Sequence, residues 1–224
     1  VNDDVATAGH FICSQPMINR IYSNIVWGVR GNYRSFPTDC PQRDERQAWL
    51  GDRSAESKGE TYLFDIAALY AKWTQDMADA QRENGSISDV CPSYWPLYND
   101  DVTWPASAVI IPGALYEQYA DAEVIARRYP SMKKWVDHMS GYITNGIITR
   151  DQYGDWCVPP ENPQLIHSQD PARKTARGIL ATSYFHHCLK LMAGYARQLG
   201  HSQDAARFTA LAEELKTALN AQFY

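Results

Sequence analysis

The chain is organised around residues 38–52, which read Thr38-Asp-Cys-Pro-Gln-Arg-Asp-Glu-Arg-Gln-Ala-Trp-Leu-Gly-Asp52. Carboxylates, guanidinium groups and an indole crowd together here: Asp39, Asp44, Glu45, Asp52, Arg43, Arg46 and Trp49. Prolines at positions 37 and 41 disfavour a continuous helix, so the pattern predicts a loop between two helices. A charged cluster this dense around an aromatic residue is typical of a site that binds a polyhydroxylated ligand and transfers a proton.

Apolar residues at helical spacing flank this loop and continue along the chain. The helices predicted from this spacing cover residues 15–30, 52–81, 106–119, 121–143, 173–199 and 202–223. Pro130 is expected to kink or split the fourth of them, and Gly200 to end the fifth. Asn145-Gly146 predicts a short β-hairpin. The fold class is therefore predicted to be all-α, with six or seven helices in antiparallel hairpins.

Three of the predicted loops, at 36–51, 83–105 and 153–174, are long and carry acidic residues and tryptophans. The connections near Asp121 and Gly200 are short. If successive hairpins pack side by side, the long loops gather at one end of the fold. That end is the expected ligand-binding face, since functional sites commonly lie on loops held by a rigid scaffold. Helical hairpins arranged in this way predict a toroid or a solenoid.

The composition is that of a globular protein, with 224 residues, 45% hydrophobic residues and a net charge of −5. The acidic balance argues against nucleic acid or an anionic membrane as a partner, and no apolar run approaches the roughly 20 residues of a membrane span. The five cysteines lack zinc-ligand spacing and are expected to be free thiols, so we predict neither a metal nor a cofactor. The compartment stays open, with a periplasmic or secreted location favoured over a cytoplasmic one.

Asp39-Cys-Pro-Gln-Arg-Asp-Glu45, followed by Trp49-Leu-Gly-Asp52, resembles the signature of the α-L-rhamnosidases of glycoside hydrolase family 78. The similarity covers nearly the whole chain through further matching segments at 11–22, 76–92, 104–119 and 154–156. It implies an (α/α)6 toroid, of which this chain forms roughly the first half. Residues 13–224 then belong to the toroid, and residues 1–12 trail a preceding β domain. The implied partners are rhamnoside substrates and the remainder of the parent polypeptide.

The resemblance also implies an inverting mechanism. Glu45 matches the general acid of the family, which protonates the leaving oxygen while a base activates water on the opposite face of the sugar. The base is a glutamate in the second half of the toroid, outside this chain. To carry a proton near neutral pH, Glu45 needs a raised pKa. Neighbouring carboxylates favour that shift, and Arg43 and Arg46 oppose it.

The same resemblance implies which residues hold the sugar. Asp39 and Asp52 match residues that hydrogen-bond the hydroxyls of rhamnose, and Arg43 matches an arginine that orients them. Trp49 matches an aromatic residue near the sugar. Rhamnose is a 6-deoxy sugar, so its methyl group and apolar ring face suit an indole.

A further wall of the pocket is expected at Trp104, together with Asp100 or Asp101. The chain departs from the family at this point and in the first motif. It has Trp104-Pro-Ala-Ser where the family often has Trp-Gly-Asp-Ala, and Gln47-Ala-Trp where the family often has Leu-Gly-Trp. The first change removes an acidic residue near the pocket and leaves the sugar preference open.

Other interpretations of these residues stay open from the sequence alone. The charged cluster fits a structural network at the start of a helix, with Asp52 as the N-cap and arginine–glutamate pairs holding the loop. Four acids also suit calcium, although their spacing is not that of a DxDxDG loop. For the whole chain, the alternatives are a non-catalytic carbohydrate-binding or scaffolding helical module, and a toroid glycosidase of different sugar specificity.

Overall fold

The computed structural model describes residues 2–155, 162–165 and 170–224, and within these ranges the fold is all-α, as predicted. The helices are α1 (Pro16–Gly31), α2 (Leu50–Thr61), α3 (Ala67–Asp79), α4 (Ser107–Tyr119), α5 (Ala122–Ser140), α6 (Arg177–Gln198) and α7 (Ser202–Phe223). Two short 3₁₀ turns, Pro163–Leu165 and Pro171–Arg173, precede α6. The β-structure among the described residues consists of isolated bridges.

The core is built around α4, which packs against α2, α3, α5 and α6. Residues 107–109 and 111–115 of α4 are all buried, as expected for a helix that is apolar on every side. α6 and α7 form a hairpin that closes at Gly200, which has a φ of 79°. The next residue, His201, donates its N–H to the carbonyl of Ala196, so the predicted helix end at Gly200 is confirmed.

The single helix predicted over 52–81 is wrong, because the chain breaks between α2 and α3. Tertiary hydrogen bonds replace helical ones at the break. The hydroxyl of Tyr119 donates to the carbonyl of Phe64 and accepts from the N–H of Ile66, both at 3.1 Å. Phe64 and Ile66 are fully buried, so the burial of their side chains outweighs the local preference for a continuous helix.

The other predicted helices agree with the structure to within four residues at each end, and the last agrees in full. Pro130 stays inside α5 without splitting it. The predicted turn at Asn145 and Gly146 is confirmed, because both residues have a positive φ, of 52° and 74°. This turn closes one isolated bridge between Thr144 and Ile147 rather than a longer hairpin.

The N-terminal segment before α1 pairs with the chain that follows α2. Thr7 forms an isolated antiparallel bridge with Phe64. The N–H groups of Ala8 and Asp65 donate 2.9 Å hydrogen bonds on either side of the bridge. The assignment of residues 1–12 to a preceding β domain, and of the rest to a partial toroid domain, stays a prediction.

α1 differs from the other helices because every one of its side chains is at least partly exposed. Its exposed apolar side chains include Ile18, Ile21, Ile25 and Trp27. An open cavity of about 650 Å³ lies between α1 and α2, and Asp39 and Asp52 belong to its lining. Within the described part of the chain, no helix combines the length and the apolar character that crossing a membrane requires.

A buried polar cluster ties α2 to the chain on either side of it. Glu60 is 2% exposed, and its Oε2 accepts hydrogen bonds from the hydroxyl of Tyr33, at 3.0 Å, and from that of Tyr70. Its Oε1 lies 3.3 Å from Nε of Arg53, which is also buried. Arg53 donates a 3.2 Å hydrogen bond to the carbonyl of Thr38. It so fixes the start of the 36–51 loop, which we call the charged loop, against α2.

We expect Glu60→Ala to lower the free energy of unfolding by about 3–5 kcal/mol, because it removes the carboxylate paired with the buried Arg53 and leaves two tyrosine hydroxyls without their acceptor. Urea unfolding followed by circular dichroism measures this loss. Glu213→Ala is the control, since Glu213 pairs with Lys216 on the exposed face of α7 and should change stability little. A loss at Glu60 no larger than that at Glu213 would contradict a stabilising role for the buried cluster.

Candidate active site

Side chains from all three long loops meet at one cavity of about 420 Å³ at the start of α2. The lining residues are Asp39, Arg43, Glu45, Trp49, Gly51, Asp52, Trp104 and Tyr153. The predicted convergence of these loops is therefore present in the structure. Every predicted site residue contributes to this lining except Asp100 and its alternative, Asp101.

The charged loop closes on itself at Asp39. The N–H of Asp39 donates to the carbonyl of Gln47 at 2.9 Å, and the N–H of Gln47 donates to Oδ1 of Asp39 at 2.8 Å. Between them, Arg46 adopts the left-handed backbone conformation, with a φ of 48°. The closed loop directs Arg43 and Glu45 to the cavity.

Arg43 lies between two carboxylates of the cavity. Its Nε donates to Oε2 of Glu45 at 2.8 Å, and its Nη2 donates to Oδ2 of Asp39 at 3.3 Å. The indole N–H of Trp49 donates to the other oxygen of Glu45 at 2.8 Å. The arginine–glutamate pairing considered from the sequence is thus present, and it forms part of the cavity wall.

The pKa of Glu45 lies below its ordinary value. Partial burial raises it, but the hydrogen bonds from Arg43 and Trp49 and the charge of Arg43 outweigh burial. The sequence left open whether carboxylates or arginines would dominate the environment of Glu45, and Arg43 dominates because it is in direct contact. Glu45 is therefore a carboxylate at neutral pH in the unliganded chain.

Asp52 shows the opposite shift. Burial raises the pKa of Asp52, and the negative charge of Asp39 adds to this effect against the attraction of Arg53. Asp52 lies in the first turn of α2, whose N-cap is Trp49, so the alternative of Asp52 as the N-cap is wrong. Two carboxyl groups of one cavity thus have pKa values displaced in opposite directions, a common property of acid–base sites.

Three aromatic rings form one side of the cavity, and we call Trp49, Trp104 and Tyr153 the aromatic wall. The ring of Tyr153 stacks on Trp104 with centroids 4.4 Å apart and meets Trp49 edge-on at 5.6 Å. Tyr153 was missed from the sequence, although it immediately precedes the matching segment 154–156. Trp156 of that segment lies outside the described residues.

Asp100 was predicted to bind sugar, but the structure places it in a polar network away from the cavity. Its carboxylate accepts hydrogen bonds from the hydroxyls of Ser86 and Tyr142, both at 2.5 Å, and His138 of α5 lies 2.9 Å from Oδ1. The left-handed backbone at Asp100 (φ 53°) accompanies this arrangement. These partners engage both carboxylate oxygens, so Asp100 joins its loop to α5 and the residues after it.

The neighbouring Asp101 is buried and organises two loops from behind the cavity. Its Oδ1 accepts a 2.7 Å hydrogen bond from the N–H of Trp104, and its Oδ2 accepts a 2.6 Å hydrogen bond from the N–H of Gln152. Asp101 therefore connects the loop that carries Trp104 to the loop that carries Tyr153.

Asp89 lies behind Tyr153 and was also missed as a site residue. It is 0% exposed, and its Oδ2 accepts 2.7 Å hydrogen bonds from the hydroxyl of Tyr153 and the side-chain amide of Asn99. Burial raises the pKa of Asp89 to about 7, against the effect of these two hydrogen bonds. The signals in the sequence were its membership of the acidic 83–105 loop and of the matching segment 76–92.

Arg43 supplies the positive charge between Asp39 and Glu45. One ligand atom each from Asp39, Cys40 and Glu45 lies within 4.8 Å of the others, a spacing that would admit a metal ion. Arg43 already binds both of these carboxylates, so an ion would have to displace its guanidinium. The cysteines that the structure describes are free thiols: Cys13, Cys40, Cys91 and Cys188.

Known proteins are similar to this chain over nearly all of its length. A family profile described as the bacterial alpha-L-rhamnosidase 6 hairpin glycosidase domain matches residues 6–224. An alpha-L-rhamnosidase of Formosa agariphila is 35% identical over 221 residues, which cover 96% of this chain. Two solved structures agree in fold. The alpha-L-rhamnosidase from Dictyoglumus thermophilum has a TM-score of 0.90 at 36% identity, and that of Streptomyces avermitilis, complexed with L-rhamnose, has 0.88 at 33%.

The chain spans only about a quarter or less of these relatives. It covers 23% of the Formosa protein, 24% of the Dictyoglumus chain and 20% of the Streptomyces chain, whereas 96%, 100% and 99% of this chain is matched. The seven helices described above therefore correspond to a part of a larger six-hairpin architecture.

We expect Gly51 to tolerate no side chain, because a Cβ there would lie 2.2 Å from Cε2 of the Trp104 indole. Gly51→Ala should displace Trp104, change the tryptophan emission, and lower the free energy of unfolding by about 1–3 kcal/mol. Gly59→Ala in the same helix is the matched control. Apart from its chain neighbours and the nearby backbone of α2, nothing lies within 4 Å of its Cβ, so it should be neutral or stabilising by up to about 1 kcal/mol. Emission and thermal unfolding that are the same in both variants would contradict the close contact.

Proposed function

This chain belongs to the family of bacterial α-L-rhamnosidase six-hairpin glycosidase domains, and on that premise we propose that it forms part of an enzyme that hydrolyses terminal, non-reducing α-L-rhamnose residues of glycans or glycosides. The observation that carries the proposal is the cavity itself. A single segment, 38–52, delivers the carboxyl of Glu45, two further carboxylates and an indole to one cavity of about 420 Å³. That size is within the range of small-molecule binding sites.

We assign the hydroxyl groups of the sugar to the carboxylates and its apolar surface to the rings. Asp39 and Asp52 accept hydrogen bonds from the hydroxyls, and Arg43 orients the sugar and these carboxylates. Trp49 and Trp104 cover the apolar ring face and the methyl group, since both indoles line the cavity. The cavity thus offers both kinds of contact that a 6-deoxy sugar needs.

Glu45 is the proposed general acid. The bond between the anomeric carbon and the glycosidic oxygen breaks, and that oxygen takes the proton of Glu45. Water attacks the opposite face of the sugar and gives up a proton to a general base. In the free chain Arg43 keeps Glu45 ionised. The acid role therefore requires that bound sugar draws hydrogen bonds from Arg43 and excludes water from Glu45, because both changes raise the pKa of a carboxyl.

The general base is proposed to lie outside this chain. Inversion requires a second carboxyl group at about 6.5–9.5 Å from the acid, with room for a water molecule between them. Asp39 already binds Arg43 and the N–H of Gln47, and Asp52 is assigned to the sugar. We therefore expect this chain alone to bind L-rhamnose with little or no turnover, and the remainder of the parent polypeptide to supply the base.

Proton NMR of the intact gene product acting on p-nitrophenyl α-L-rhamnopyranoside tests this function. We expect the β anomer of L-rhamnose to appear first and then to equilibrate with the α anomer, because one displacement inverts the anomeric carbon. The α anomer appearing first would contradict inversion. Hydrolysis of another aryl glycoside in a panel, without hydrolysis of the rhamnoside, would contradict the substrate.

We expect Glu45→Gln to lower kcat on an alkyl rhamnoside by about 10²–10⁴-fold, the usual contribution of a general acid. The loss should be much smaller on the p-nitrophenyl rhamnoside, whose leaving group needs no proton. Asp44→Asn, in the same loop but fully exposed, is the control and should leave both rates unchanged.

Asp52→Asn tests whether Asp52, whose pKa is raised, and Glu45, whose pKa is lowered, have different roles. If Asp52 binds the sugar, Asp52→Asn should lower kcat by the same factor on the alkyl and the p-nitrophenyl rhamnoside, because both substrates share the sugar that Asp52 contacts. If the loss of kcat depends on the leaving group for Asp52→Asn and does not for Glu45→Gln, the acid role belongs to Asp52.

A further inference from the structure

We propose that Asp89 is a positioning residue for this cavity and that Tyr153, which it holds, is a further sugar-binding residue. Asp89 fixes the phenol ring of Tyr153 against Trp49 and Trp104 and so sets the shape of the aromatic wall. The inference depends on the proposed function only for the identity of the sugar.

Tyr153 completes the aromatic wall as its central ring. It is nearly parallel to Trp104, with an interplanar angle of 28°, and nearly perpendicular to Trp49, at 81°. Trp49 in turn meets Trp95 edge-on at 6.1 Å. Because the phenol contacts both indoles that line the cavity, a displacement of Tyr153 moves both surfaces on which the sugar is proposed to pack.

The side chain of Asp89 holds this phenol from behind. The hydroxyl of Tyr153 donates to Oδ2 of Asp89 at 2.7 Å. The amide of Asn99 donates to the same oxygen at 2.7 Å and lies 3.3 Å from the phenol oxygen. Both donors meet the same buried oxygen, so the phenol is fixed by Asp89 and Asn99 together.

The backbone of Asp89 holds the other side of the aromatic wall. The N–H of Leu50 donates to the carbonyl of Asp89, and the N–H of Cys91 donates to the carbonyl of Ala48, both at 2.9 Å. These two bonds flank an isolated bridge formed by Trp49. One residue therefore contacts the segment of Trp49 through its backbone and Tyr153 through its side chain, so the separation of the two rings depends on it.

The burial of Asp89 is unfavourable in itself. The residue is 0% exposed, and its Oδ1 has no hydrogen-bond partner among the described residues. Placing a carboxyl group in such surroundings reduces stability, and packing alone would be served better by an apolar residue. A costly buried carboxyl next to a ligand cavity is what a positioning role predicts.

The affinity of the intact gene product for L-rhamnose tests this pair. Tyr153→Phe and Asp89→Ala should each weaken binding by about 5- to 30-fold, the loss expected for one hydrogen bond and the order it maintains. The double variant should bind no more weakly than the poorer single variant, because the two groups act together. Asp89→Asn keeps an acceptor oxygen and should recover most of the affinity.

Tyr98→Phe is the matched control. It also removes a hydroxyl that donates a 2.7 Å hydrogen bond, to the carbonyl of Ala80, but Tyr98 does not contribute to the lining of the cavity. Its affinity for L-rhamnose should equal that of the parent. All affinities are expressed per folded molecule, with the folded fraction taken from urea unfolding.

A spectroscopic measurement makes the test independent of the sugar. In protein labelled with 5-fluorotryptophan, Asp89→Ala should shift the ¹⁹F resonances of Trp49 and Trp104, which are assigned by replacing each with Phe. Unshifted resonances would overturn the proposal, and so would shifted resonances with unchanged affinity per folded molecule. If the parent binds no L-rhamnose but the resonances shift, the proposed substrate fails while the positioning by Asp89 stands.

Discussion

The positive charge of Arg43 is the constraint on which the cavity depends. Three carboxyl groups, those of Asp39, Glu45 and Asp52, line one small space. Arg43 contacts two of them directly and so makes a compact acidic wall possible. At Asp52 burial prevails and the pKa is raised. The ionised state of Glu45 in the free site thus depends on one guanidinium, and a ligand that draws Arg43 away from it raises the pKa of Glu45.

The shape of the cavity is set from behind by residues that line none of it. Asp101 fixes the backbone at Trp104 and Gln152, and Asp89 fixes the hydroxyl of Tyr153. Loops normally vary in position more readily than helices do. Here the buried carboxyl groups of Asp89 and Asp101 connect the loops. The rings of the aromatic wall are therefore held more firmly than loop side chains usually are.

Features of the fold and site that depend on neighbours in sequence were predictable, and those that depend on distant partners were not. The helices and the charged loop follow from local spacing. The break after α2 does not, because Tyr119, 55 residues beyond Phe64, supplies its hydrogen bonds. Asp89 and Asp100 belong to the same acidic loop, and only long-range partners, Tyr153 for one and residues of and after α5 for the other, decide which of them serves the cavity.

The exposure of α1 has a consequence for how the molecule moves. Apolar burial stabilises a helix by roughly 25 cal/mol for each Å² removed from water, and α1 leaves most of its apolar stripe exposed. In this chain by itself, α1 is therefore held less firmly than the core around α4. Asp39 and Asp52 also line the space between α1 and α2, so a loosening of α1 in the isolated chain would expose these two carboxyl groups to water from their far side. The polarity around these two carboxyl groups therefore depends on how closely α1 is held against α2.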